Sequence, residues 1–164
     1  EDEAAFEREA LQLFRYQSVA CKPYAEYLRL IGVEPRRVRT LAEIPMLPIE
    51  LFKSHEVYCA TTPPQKLFTS SATTGMTSSR HLVADLSLYE RAFEQAFRAF
   101  YGEPSKWSIY GLLPSYLERE GSSLVYMVDR LIAKCGSGGF YLDNYEDYIS
   151  TIARHCSSFD VKRR

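Results

Sequence analysis

The most distinctive stretch of the chain reads KLFTSSATTGMTSSR over residues 66–80. Eight of the twelve residues between Phe68 and His81 are Ser or Thr, and these residue types disfavour a helix because they compete for backbone hydrogen bonds. Residues 65–70 and 80–84, on either side, have the composition of short strands. The sequence therefore predicts two strands joined by a hydroxyl-rich loop that is long for a hairpin.

A loop of this composition can turn hydroxyls and backbone N–H groups toward a bound anion. Phosphate is the expected anion, although an ordinary Ser/Thr-rich connection explains the loop equally well when it is taken by itself. The loop is not the nucleotide-binding sequence GxxxxGK(S/T), because the first Gly and the Lys are missing at the required spacing. A mononucleotide kinase of that class is therefore excluded.

Residues 70–75 read SSATTG and resemble the phosphate loop of the adenylate-forming (acyl-activating) superfamily, usually written (S/T)(S/T)G(S/T)(S/T)G. Ala72 stands where that pattern has its first Gly. The continuation MTSSR at residues 76–80 is similar to the LuxE-like acyl-protein synthetase branch, whereas the superfamily commonly continues with Pro-Lys. Three further stretches carry the same resemblance: IPMLPIELFK at 44–53, LLPSYLER at 112–119 and GSSLVYM at 121–127. The resemblance thus covers most of residues 20–150.

The resemblance implies an ATP-dependent ligase that joins a fatty acid, or another carboxylic acid, to AMP and releases pyrophosphate. The acyl group would then pass to a protein cysteine and on to an acyl-accepting reductase or carrier protein. ATP and Mg²⁺ are the implied cofactors, while the catalytic residues and the Mg²⁺ ligands stay unassigned. The residues implied to hold the β- and γ-phosphates are Ser70, Ser71, Thr73, Thr74 and Gly75, the last through its N–H.

Two further residues are candidate substrate contacts. His81 follows the loop directly at the start of the second strand, where a lone His is more often structural than catalytic. Arg119 follows a strand predicted over residues 107–113, and open α/β sheets bind their ligands at the carboxyl ends of such strands. A solvated loop residue is the alternative interpretation of Arg119.

Three interpretations of the function stay open. Acyl-protein synthetases of this type are roughly twice as long as this chain of 164 residues, so the chain is expected to be an N-terminal part. The adenine site and the acyl-accepting Cys are then expected beyond residue 164. An acyl-CoA ligase of the phenylacetate type shares the loop but passes the acyl group to CoA. A non-catalytic interaction domain that keeps the fold is the third interpretation.

Composition narrows the class of protein. A net charge of −1 and a pI near 6.4 provide no basic surface for nucleic acid or anionic lipid. No apolar run approaches the roughly 20 residues of a membrane span. The sequence therefore predicts a cytoplasmic protein without a nucleic-acid partner. Its four cysteines show no metal-binding or disulfide spacing and are expected to be reduced and unpaired: Cys21, Cys59, Cys135 and Cys156.

Hydrophobic periodicity predicts an α/β fold with N-terminal helices and a mixed or parallel sheet covered by helices, similar to the N-terminal subdomain of adenylate-forming enzymes. One domain is expected over residues 1–164. Helices are predicted over residues 5–17, 23–31, 87–101, 123–135 and from 144 onward. Besides the two strands that flank the loop, strands are predicted over residues 56–60, 107–113, 138–142 and 159–161.

Overall fold

The computed structural model describes residues 2–70, 77–113 and 121–161, and from residue 157 onward it describes the backbone alone. Contacts divide the chain into two compact units, Glu1–Asp85 and Leu86–Arg164. The prediction of one domain over residues 1–164 stays a prediction, because a division by contacts does not measure how the chain unfolds. The two units are described separately below.

The first unit begins with two helices. Helix α1 spans Glu3–Ala20, and the side chain of Asp2 caps it by accepting a hydrogen bond from the N–H of Ala4 at 3.1 Å. Helix α2 spans Lys22–Leu30 and carries a proline in its first turn, where a missing N–H costs nothing. Cys21 alone separates the two helices and is 2% exposed.

The core of this unit lies between the two helices and the segments that follow them. Leu28 of α2 is its most deeply buried residue, at 1% exposure. Residues from the extended part of the chain, including Val57 and Cys59, pack against this core. Its buried members are Leu11, Phe14, Cys21, Tyr24, Leu28 and Val38.

A short helix and a hairpin complete the first unit. Helix α3 spans Leu51–Ser54, strand β1 spans Lys66–Thr69 and strand β2 spans Arg80–Val83. The two strands pair antiparallel, with Phe68 opposite His81 and Thr69 opposite Arg80. The prediction of two strands on either side of the hydroxyl-rich loop is confirmed.

The second unit alternates helices and strands. Strands β3 and β4 pair in parallel, and the chain between them forms a helix, as βαβ units require. Gly138 in β4 is necessary for this pairing, because a Cβ there would lie 2.1 Å from the carbonyl oxygen of Ile109. The elements are helix α4 (Leu86–Tyr101), strand β3 (Ser108–Gly111), helix α5 (Ser123–Lys134), strand β4 (Ser137–Phe140) and helix α6 (Tyr145–Val161).

The α/β class is confirmed, but the sheet prediction was wrong in its arrangement. The described residues form two separate two-stranded sheets, one antiparallel and one parallel, and not one mixed or parallel sheet. The likeness to the N-terminal subdomain of adenylate-forming enzymes therefore stays a proposal. Among the described residues, no helix combines the length and the apolar character that crossing a membrane would need.

Two predicted strands were also wrong. Residues 56–60, all within the described chain, belong to no strand; their alternation arises because Val57 and Cys59 pack on the helical core. Residues 159–161 continue helix α6, and a segment of three residues is too short for its sequence pattern to distinguish a strand from a helix. The hydrophobic pattern of this helix also predicts that Tyr148, Ile149, Ile152 and Cys156 face inward. That prediction was wrong in part, since Ile149 and Cys156 are exposed.

Candidate functional site

The candidate site is the open end of the β1–β2 hairpin. Beyond the last strand pair, the N–H of Ser70 donates to the carbonyl oxygen of Ser79 at 3.1 Å. The N–H of Ser79 in turn donates to Oγ of Ser70 at 3.0 Å. These two bonds continue the ladder by one step and close the base of the loop at a defined pair of residues.

Only part of the predicted site lies in the described chain. Ser70 and His81 are both described, and both are exposed. A strand alternates its side chains between two faces, so the register places His81, Ser79 and Ser70 on the same face of the hairpin. Five residues of the prediction lie outside the described residues: Ser71, Thr73, Thr74, Gly75 and Arg119. Ala72, which replaces the first Gly of the phosphate-loop pattern, lies outside the described residues as well.

His81 has a supporting contact that its sequence position did not predict. Its imidazole stacks on the ring of Phe52 in α3, with 5.9 Å between ring centroids and 17° between ring planes. Stacking uses a face of the imidazole and leaves its two nitrogens at the ring edge. The contact therefore gives His81 a structural role in holding α3 against β2, and the ring nitrogens can still meet a ligand.

An apolar pocket of about 220 Å³ lies in the first unit, and Phe52 is one of its lining residues. Tyr24 fixes one edge by donating its hydroxyl proton to the carbonyl oxygen of Pro45 at 2.6 Å. Sequence reasoning missed the pocket, because the contacts that form it join residues far apart in the chain. Its lining consists of Gln17, Cys21, Tyr24, Ile44, Pro45, Met46, Leu47, Phe52, Val57 and Cys59.

A second polar cluster, also missed from the sequence, lies in the second unit. Oγ of Ser108 lies 2.6 Å from Oγ of Ser137 and 3.0 Å from Nε2 of His155. A Ser–His hydrogen bond is the contact that activates a nucleophile in many hydrolases. Here both serines begin the parallel strands, at the edge opposite to the carboxyl ends where α/β sheets bind ligands. We therefore regard the cluster as a polar link between the sheet and helix α6.

Neither an activated cysteine nor a metal site is found among the described residues. Cys21, Cys59, Cys135 and Cys156 are all free of disulfides. Burial raises the pKa of Cys135, and burial together with the neighbouring Cys21 raises the pKa of Cys59 to about 11. Neither is therefore an activated nucleophile at neutral pH. Within the described residues, no group of three or more His, Cys, Asp or Glu side chains could hold a metal ion.

Comparison of the chain with protein-family models, with curated proteins and with solved structures gave no match.

Proposed function

We propose that this chain binds the phosphates of ATP at the open end of the β1–β2 hairpin and is part of an enzyme that activates a carboxylic acid as its acyl-adenylate. A fatty acid is the favoured substrate, and a protein cysteine is the favoured acceptor of the acyl group. The pair of hydrogen bonds between Ser70 and Ser79 carries the proposal. It supports the proposal because it joins Ser70 and Ser79, the two residues between which the hydroxyl-rich segment lies, at the end of two paired strands.

The described residues at this end fit an anion. Oγ of Ser70 accepts from the N–H of Ser79, so the hydroxyl proton of Ser70 can be donated to a phosphate oxygen. Arg80 begins β2 next to the loop and is exposed. It lies on the face of the hairpin opposite to Ser70 and His81, so it adds positive charge near this end without facing Ser70. The ring nitrogens of His81 offer a further hydrogen-bond donor on the same face as Ser70.

In the proposed reaction these residues act by positioning and by stabilising charge. Ser70, Ser71, Thr73, Thr74 and the N–H of Gly75 would hold the β- and γ-phosphates in place. The carboxylate of the substrate then attacks the α-phosphorus, and pyrophosphate leaves with the phosphates that the loop holds. Mg²⁺ would arrive with the triphosphate, whose oxygen atoms are the ligands that this ion prefers.

Nucleotide binding to the 164-residue chain tests the first step. Isothermal titration should find that ATP, ADP and pyrophosphate bind, whereas AMP binds much more weakly, because the loop is proposed to hold the phosphates beyond the first. Ser70→Ala should weaken ATP binding about tenfold, since a hydrogen bond to a charged group contributes roughly 1.5 kcal/mol or more. Thr61→Ala is the matched control, because Thr61 is an exposed hydroxyl residue outside the loop.

Failure to bind ATP or pyrophosphate, or an equal effect of the Ser70 and Thr61 substitutions, would refute the phosphate site. The acid-activating step needs a second assay, pyrophosphate exchange stimulated by fatty and aryl acids. We expect none from the 164-residue chain, because a phosphate loop supplies neither an adenine site nor a domain that closes over the reactants. Acid-stimulated exchange by a longer form of the protein would support the proposal, and its absence there would favour a non-catalytic domain.

A further inference from the structure

The apolar pocket of the first unit contains two cysteines that lie far apart in the sequence. Cys21 lies at the corner between α1 and α2 and is 2% exposed. Cys59 lies between α3 and β1 and is half-buried. Both side chains line the same pocket of about 220 Å³, although no spacing in the sequence indicates a pair.

The two thiols belong to one packed region of the first unit. Cys59 packs against the core cluster to which Cys21 belongs, and both residues line the same pocket. The backbone of Cys59 is held in this place from the other side, because the hydroxyl of Tyr16 in α1 donates to its carbonyl oxygen at 3.0 Å. The folded chain therefore keeps both cysteines at the wall of one pocket without help from a ligand.

We propose that Cys21 and Cys59 form a redox-sensitive dithiol, which a small-molecule disulfide such as oxidised glutathione converts into an intramolecular disulfide across the pocket. Cys59 reacts first because its side chain is partly exposed. Its sulfur attacks one sulfur of the small disulfide, and one molecule of small thiol leaves. The sulfur of Cys21 then attacks Sγ of Cys59 and releases the second small thiol. Each released thiol takes up the proton that a cysteine has lost, so two cysteines are oxidised and one small disulfide is reduced.

The new bond would tie the corner between α1 and α2 to the segment that leads into β1. It would also join two walls of the pocket and restrict the space between them. Phe52, which supports His81 next to the candidate phosphate site, lines the same pocket. Oxidation would thus act on the pocket and on the support of the hairpin together.

The environment of the pair sets how readily it reacts. Burial and the neighbouring Cys21 raise the pKa of Cys59 to about 11, so little thiolate is present at neutral pH and exchange is slow. The pair therefore stays reduced under reducing conditions and is oxidised only by sustained exposure to a disulfide. Cys135 serves as a contrast, because the pKa of its thiol is raised by burial alone, without a neighbouring cysteine.

A variant that keeps only this pair, Cys135→Ser with Cys156→Ser, provides the test. The folded variant is incubated with excess oxidised glutathione and examined by intact mass and by thiol counting in denaturant. We expect the loss of two hydrogens, no attached glutathione and no remaining thiol. Proteolytic mapping of the oxidised wild-type chain should recover a peptide that links Cys21 to Cys59, and this measurement does not depend on any variant folding. The melting temperature of the oxidised protein should exceed that of the reduced protein.

Single substitutions in the same background provide the matched controls. With Cys21→Ser, the reaction should stop at a mixed disulfide between Cys59 and glutathione, because the second attacking sulfur is missing. With Cys59→Ser, Cys21 should remain a free thiol in the folded protein because it is buried. Retention of both thiols in the two-cysteine variant, or a stable glutathione adduct on Cys59 while Cys21 is present, would overturn the proposal. Linkage between two molecules in place of the internal bond would overturn it as well.

Discussion

Ser70 illustrates how one residue can combine a structural role with a proposed functional one. Its N–H and its Oγ are both engaged with Ser79, which fixes where the hairpin ends and the loop begins. Its hydroxyl proton is not needed for those bonds and can serve a ligand. The sequence predicted Ser70 as a phosphate ligand, but the reciprocal pairing with Ser79 depends on strand register and could not be deduced from composition.

The first prediction at this scale concerns Ala72, the residue that departs from the phosphate-loop pattern. If binding phosphate requires a positive φ at this position, the Cβ of Ala costs roughly 1 kcal/mol relative to Gly. Ala72→Gly should then tighten ATP binding about fivefold, since 1.4 kcal/mol corresponds to a factor of ten. Titration calorimetry with ATP would measure the change. Ala60→Gly is the control, because Ala60 lies outside the loop, and equal affinities of the Ala72 variant and the wild type would mean that the loop tolerates a Cβ.

Among the secondary-structure elements, two helix-capping signals carried by neighbouring residues are present in the structure. Ser122 caps α5 by accepting from the N–H of Val125 at 3.3 Å. The spacing Thr40-x-x-Glu43 is typical of a capping box, and the box is present, with the N–H of Thr40 donating to a carboxylate oxygen of Glu43 at 3.2 Å. Each of these contacts joins residues no more than four apart, so the pattern and the contact are nearly the same observation.

Signals that depend on distant residues were missed. The alternation of residues 56–60 was interpreted as a strand, but Cys59 packs inward because the helices α1 and α2 lie beside it. The shared pocket of Cys21 and Cys59, and the stack of Phe52 on His81, have the same origin in tertiary packing. A period of two shows that one face is buried, and it does not identify what buries that face.

Helix α2 offers a prediction with an internal control. Leu28 is 1% exposed and Leu30 is 68% exposed, on the same helix. Leu28→Ala should lower the free energy of unfolding by about 2–5 kcal/mol, because it removes buried methyl groups and leaves a cavity. Leu30→Ala should change it by no more than about 0.5 kcal/mol. Urea denaturation of both variants measures the difference, and similar losses would contradict the assignment of the core.

For the whole molecule, tyrosine hydroxyls and cysteine thiols with raised pKa values predict how the free energy of unfolding depends on pH. Burial is the main cause that raises the pKa of Tyr24, Tyr89, Tyr126, Cys59 and Cys135 above their ordinary values. The unfolded chain loses protons from a thiol near pH 9.0, whereas folded Cys59 holds its proton to about pH 11. A raised pKa of a neutral acid stabilises the fold below the unfolded pKa, and this stability is lost as the pH rises through the folded pKa.

We therefore expect the free energy of unfolding to fall as the pH rises from about 9 toward 11. Urea denaturation at a series of pH values would measure the decline. Cys59→Ala should make this decline smaller, because the variant lacks a thiol that loses its proton at a lower pH in the unfolded chain than in the folded chain. A free energy of unfolding that stays constant up to pH 11 would contradict the burial of these groups.

The last prediction concerns the first compact unit, Glu1–Asp85. The six buried residues of its main core cluster lie within residues 11–38, and β1, β2 and the loop between them belong to the same unit. We expect a fragment of residues 1–85 to fold by itself with a cooperative but marginal transition, because a domain of this size has a small core. Circular dichroism during urea denaturation would follow that transition, and Leu28→Ala in the fragment should abolish it.

The same fragment tests whether residues 1–85 are sufficient for phosphate binding and whether they fold without the rest of the chain. If it folds and binds pyrophosphate as the 164-residue chain does, the hairpin and its helical support are sufficient for the candidate phosphate site. If it folds without binding, the site needs residues beyond Asp85, and the proposed role of Ser70 and its neighbours is incomplete. If it stays unfolded while the 164-residue chain unfolds in a single transition, the original prediction of one domain over residues 1–164 is supported, because the first unit then depends on the rest of the chain for its stability.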